Sequence, residues 1–120
     1  MKKTILTLTL FTATLVASAQ KEPVKTDKGM QVEIQTSAIC EMCQYAIEKA
    51  LAYEKGVKSA DLNLENKVCT VVFNEKKTDA ETIRKRISLT GYNADNIMRD
   101  PKAYEDLPMC CKDGAHEMGH

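Results

Sequence analysis

The chain has no tryptophan, two phenylalanines and four tyrosines, so aromatics make up only 5% of its 120 residues. Prolines are confined to Pro23, Pro101 and Pro108. Neither charge sign is in excess, with 17 Lys and Arg against 17 Asp and Glu. The longest apolar run, Ile5 to Val16, is diluted by threonines and falls short of the roughly 20 residues that a bilayer span needs. Each shortage closes a class. Without net positive charge there is no electrostatic footprint for DNA or RNA. Without a second apolar run, no other stretch is read as membrane-spanning. The length suits one domain with a modest core, and no internal repeat divides it. What the chain does have is sulfur, in five cysteines and six methionines.

Residues 1–19 read as a secretory signal. Lys2 and Lys3 supply the positive start, Ile5 to Val16 the apolar centre, and Ala17-Ser18-Ala19 the small-x-small cleavage site. Cleavage would start the mature chain at Gln20 and remove two lysines, leaving a slight acidic excess. The expectation is export, to the periplasm if the host is Gram-negative. Exported cysteines usually form disulfides. An odd number, spaced as Cys40-x-x-Cys43, a lone Cys69 and adjacent Cys110-Cys111, is not a staple framework.

The mature chain divides by pattern. Residues 20–29 are polar and Lys-rich and read as a flexible leader. Met30, Val32 and Ile34 alternate with polar residues through Thr36, the period of a half-buried strand. Residues 43–55 have helical spacing, with Ile47, Ala50 and Leu51 on one face and Gly56 as the stop. Residues 57–64 and 67–73 read as strands joined by a tight Glu65-Asn66 turn, where Asn tolerates the left-handed region. Thr78-x-x-Glu81 is a capping box opening a second helix that ends at Gly91. Residues 92–98 suggest a fourth strand, and Asp100-Pro101 starts a short helix that Pro108 closes out. The order is βαββαβ. It predicts an α+β, ferredoxin-like sandwich with a four-stranded antiparallel sheet and two helices on one face. Residues 30–98 are the domain, and residues 99–120 are a short helix plus a tail.

Cys40 and Cys43 fall between the first strand and the first helix. Three-residue spacing at a helix entrance aims two sulfurs at one spot. A helix N-terminus carries partial positive charge and unpaired N–H groups, which favour thiolate over thiol. Thiolate is both nucleophile and metal ligand, so two uses stand open: a redox dithiol or a soft-metal clip. A thioredoxin-type dithiol lacks support, because no Trp precedes Cys40 and no proline falls where such folds place one beside the dithiol.

Residues 30–97 resemble the heavy-metal-associated domain family, which includes copper metallochaperones, metal-pump modules and periplasmic mercuric-ion-binding proteins. The resemblance is carried by Cys40-Glu41-Met42-Cys43, Ile47-Glu48-Lys49-Ala50-Leu51, Gly56-Val57, the strand pair from Asp61 to Phe73, and Gly91-Tyr92-Asn93-Ala94. The leader plus one such domain looks most like the mercuric-binding layout. The family commonly has Gly-Met-x before the first cysteine; this chain has Ser37-Ala38-Ile39. The resemblance implies that Cys40 and Cys43 bind a soft ion, Cu(I) or Hg(II), and pass it by ligand exchange to a membrane metal transporter or another metal-binding domain. No substrate bond is made or broken, so no enzyme is expected, and the carrier is expected to be monomeric. By the same resemblance Tyr92 lies close behind the metal loop. Glu41, between the thiols, either adds an oxygen ligand suited to Zn(II) or Cd(II) or is simply solvated.

Cys69 shares a strand face with Val71 and Phe73 and reads as apolar filler. The tail is richer: Cys110, Cys111, His116, Met118 and His120 gather soft and borderline ligands at the end of the chain. It reads as a second metal-binding element, a disordered end or oxidised thiols. As a metal element it either hands ions to Cys40 and Cys43 or folds back to complete their coordination. The competing class for the whole chain is a periplasmic thiol–disulfide redox protein using the same pair, and the blandest is a partner-binding module with idle cysteines.

Overall fold

A computed structural model describes residues 21–112. The leader expected at 1–19, together with His116, Met118 and His120, lies outside the described residues. The elements are β1 (Val24–Thr26), β2 (Gly29–Gln35), α1 (Glu41–Ala52), β3 (Val57–Asn63), β4 (Val68–Phe73), α2 (Ala80–Leu89) and α3 (Pro101–Glu105). A 3-10 turn, Met109–Cys111, follows. The strands form one antiparallel sheet in the order β1-β2-β4-β3. No helix among the described residues is long and apolar enough to cross a membrane.

Alternation sets the sheet's two faces. Val32 and Ile34 of β2 stand opposite Val71 and Cys69 of β4, and Leu62 of β3 stands opposite Cys69. These residues share one buried cluster with Ile47 and Leu51 of α1 and Ile83 and Ile87 of α2. α1 packs on β3 and against α2. Burying side chains of this size stabilises the fold by about 1.5–3 kcal/mol each. The ferredoxin-like α+β plan expected from the sequence is therefore present, and Cys69 is core, as its strand face predicts.

The outer edge of β2 differs from expectation. Residues 92–98 do not form a strand. Only Ala94 bridges to Thr36 and to Ile97. Asp95 takes positive φ (53°), and its side-chain carboxylate accepts the Gln35 N–H at 2.9 Å while its own N–H donates to the Gln35 carbonyl at 2.8 Å. One side chain thus substitutes for a ladder bond, and the segment turns away instead of extending. The other half of the edge is filled from the stretch read as a flexible leader: β1 pairs Val24 with Gln31 and Thr26 with Gly29 in a hairpin. The carboxylate of Asp95 also accepts from Arg84 of α2 at 2.8 Å, with both side chains buried. Arg84 donates further to the Lys21 carbonyl at 3.2 Å. This pair pins the helix layer, the β2 edge and the incoming chain together.

Two local signals shift by one residue. The cap of α2 is Asp79, whose carboxylate accepts from Thr82 N at 2.7 Å, not Thr78. In the β3–β4 connection the left-handed residue is Lys67 (φ 63°), not Asn66. Asn66 instead accepts the Val68 N–H on its side chain at 2.9 Å, which fixes the turn from one position earlier.

Candidate metal centre

Cys40 is the N-cap of α1. Its backbone is extended, its carbonyl accepts the Gln44 N–H at 3.0 Å, and its side chain makes no capping bond. Its sulfur is therefore left to face other sulfurs. Cys43 lies one turn in, on the core-facing side of the helix, and its sulfur is 3.2 Å from that of Cys40. The two thiols differ in access: Cys43 has 0% of its surface exposed, while Cys40 is half-buried.

What covers Cys43 includes the C-terminal segment, returned by α3. Asp100 caps α3 by accepting from Ala103 N at 2.9 Å. The Asp100 N–H donates to the Ser88 carbonyl at 3.0 Å, and the Ser88 hydroxyl donates to the Met98 carbonyl at 2.7 Å. The guanidinium of Arg99 stacks 3.5 Å above the Tyr104 ring. Leu107 then packs on Gly91, where an added Cβ would lie 3.1 Å from it; Gly91 also has φ 106°, which disfavours any side chain. Beyond Pro108 the 3-10 turn sets Cys111 into the core at 3% exposure. Its sulfur is 3.5 Å from that of Cys40 and 3.9 Å from that of Cys110.

Cys40, Cys110 and Cys111 thus lie with all three sulfurs within 4.8 Å of one another. All five cysteines are free thiols. Cys110 reaches back over the helix entrance, its thiol 3.3 Å from the Met42 thioether sulfur. The structure therefore brings Cys110 and Cys111 to Cys40 and Cys43. The ligand-rich composition of the tail left this fold-back open beside the alternatives, but a three-residue turn has no periodicity that would select it. Glu41 is exposed in the first turn, where a carboxylate complements the helix dipole, and it stands outside the cysteine group.

Tyr92 is 1% exposed, and its buried hydroxyl meets no nitrogen or oxygen partner, only the neighbouring sulfurs of Cys43 and Cys111. Burial raises its titration far above the ordinary tyrosine range, and the sulfurs of Cys43 and Cys111 push it the same way. Burial likewise pushes the Cys111 thiol up, with Cys43 adding to the effect. Ala38 is fully buried beneath the loop, and the Ser37 hydroxyl accepts the Asn93 N–H at 2.9 Å, tying the loop to the Tyr92 segment. An apolar cavity of about 330 Å³ opens beside the sulfurs, between Met42, Tyr45 and Ala46 of α1 and Leu107, Pro108 and Cys111. Clustered thiols, one thioether and few oxygens make a donor set for a soft ion with low coordination number.

Comparison with known proteins identifies the domain that holds Cys40 and Cys43. The heavy-metal-associated domain profile matches residues 37–93. The copper chaperone CopZ of Staphylococcus epidermidis is 39% identical over 54 residues, covering 45% of this chain and 79% of that protein. A probable copper-exporting P-type ATPase of Archaeoglobus fulgidus is 34% identical over 79 residues, 66% of this chain but only 9% of the pump. Among solved structures, a CopZ metallochaperone superposes with TM-score 0.52 at 32% identity, covering 53% of this chain and 97% of that one.

Proposed function

The chain belongs to the heavy-metal-associated domain family, and from that premise we propose that it carries Cu(I) on Cys40 and Cys43 and passes it on by ligand exchange. The observation that carries the reading is the pair of free sulfurs 3.2 Å apart at the entrance of α1. Two thiolates leave Cu(I) under-coordinated. An acceptor thiolate adds before a donor thiolate leaves, so the ion moves without being released to water. Bonds to copper exchange, copper keeps its oxidation state, and no catalysis is involved.

The relatives named as a copper chaperone and a copper-exporting pump support Cu(I) over Hg(II), Zn(II) or Cd(II). They also disfavour the thiol–disulfide redox reading. By the same argument the acceptor is a P-type metal pump or another domain of this family, and the carrier works as a monomer. Export rests on the sequence of residues 1–19. N-terminal sequencing of protein from the periplasmic fraction tests it, with Gln20 as the expected first residue. Cu(I) titration of the reduced protein tests the carrier reading. Wild type binds stoichiometrically and Cys40→Ser/Cys43→Ser does not. Undiminished binding by that double variant would overturn the site.

A further inference from the structure

The family profile matches only as far as Asn93, yet the turn beyond α3 reaches the centre of the proposed site. We infer that Met109–Cys111 is an internal ligand arm, in which Cys111, backed by Cys110, supplies to bound Cu(I) the third thiolate that an acceptor would otherwise bring. This inference rests on the reading of Cys40 and Cys43 as the Cu(I) pair. It adds that the ion is held closed until an acceptor displaces the arm.

Four observations carry it. The Cys111 sulfur is 3.5 Å from that of Cys40, which is itself 3.2 Å from that of Cys43, so Cys40 is common to both groupings. Cys111 is buried against the core, so the arm is a packed element and not a loose end. Its approach is built: Gly91 lets Leu107 seat closely, and the Pro108 carbonyl accepts the Cys111 N–H at 2.8 Å, setting the turn that points the sulfur inward. The last contact, Cys110 to the exposed Met42 thioether, is a weak sulfur interaction that an incoming ligand can break.

The exchange balances. When Cu(I) sits on Cys40 and Cys43, Cys111 forms a Cu–S bond and its thiol proton passes to water. On transfer, an acceptor thiolate forms a new Cu–S bond as the Cys111 bond breaks, and the freed thiolate takes a proton from water. Copper remains Cu(I) throughout. The arm thus sets how fast the carrier yields its ion, while Cys40 and Cys43 set whether it binds one.

The test loads full-length protein with one equivalent of Cu(I) under a non-thiol reductant. X-ray absorption counts the sulfur ligands, and a Cu(I) chelator such as bicinchoninate measures affinity and release. Wild type is expected to have three sulfur ligands. Cys110→Ser/Cys111→Ser is expected to keep 1:1 binding with two sulfurs and to lose about 10- to 100-fold in affinity, the range that even outer partners of a metal site reach. Two sulfurs in wild type overturn the arm by themselves, whether or not the variant folds well. So does unchanged release from a variant with wild-type circular dichroism. Either result leaves the carrier reading intact. Failure of wild type to bind Cu(I) would instead remove that reading.

Discussion

Single residues divide the sulfur by environment. Cys69 is fully buried in β4, and burial pushes its thiol up to about 12 from an ordinary 9.0. The folded chain therefore holds this proton more tightly than the unfolded chain does. The stability it contributes is complete below about pH 9 and is lost as pH rises towards 12, at up to about 1.4 kcal/mol per pH unit. Cys111 and Tyr92 are shifted in the same direction. Urea melts of the apo protein should thus weaken steadily on the alkaline side, and Cys69→Val should flatten the fall without changing Cu(I) stoichiometry. Tyr92 offers a second prediction. Its buried hydroxyl has no nitrogen or oxygen partner, only the Cys43 and Cys111 sulfurs beside it, and a buried hydroxyl left unpaired costs about 1–3 kcal/mol. Tyr92→Phe should leave the melting temperature equal or higher, as read by calorimetry. A marked drop would mean that the hydroxyl bonds to the thiols behind the site.

At the scale of elements, the joint that aligns the loop segment with the sheet is Arg84–Asp95. Its charges are buried 2.8 Å apart, and Asp95 also holds the N–H of Gln35. Removing one partner of such a pair strands the other, at a cost of about 3–5 kcal/mol. Asp95→Ala should show that loss in urea denaturation and should loosen the β2 edge in hydrogen exchange. Gly91 is the joint for the arm. Gly91→Val puts a side chain at positive φ and against Leu107, so faster Cu(I) release to a chelator should accompany its lower stability. The elements themselves were largely legible. The alternation of Val32 and Ile34 and the spacing of Ile47 and Leu51 mark β2 and α1 because burial imposes those periods. β1 was not legible: Val24, Lys25 and Thr26 form a three-residue strand with no alternating apolar face, fixed by its hairpin with β2. The missing fourth strand has the opposite cause. Residues 92–98 look apolar enough, but the side chain of Asp95 takes the bond a ladder would use.

For the molecule as a whole, the fold and the Cys40–Cys43 pair could be read from the chain, while the enclosure of the pair was one of several alternatives that the sequence did not choose between. The contact that closes it joins residues 71 positions apart and depends on α3, the Leu107 seat on Gly91 and a single turn. The result is a heavy-metal-associated domain whose sulfurs are half-sealed by the Met109–Cys111 turn. The central claim is that Cys40 and Cys43 bind Cu(I). Its most direct test is competition titration of the reduced full-length protein against a Cu(I) chelator, wild type beside Cys40→Ser/Cys43→Ser. The account predicts one tightly held Cu(I) in wild type and none that competes in the double variant. Equal retention of Cu(I) by the two proteins would contradict it.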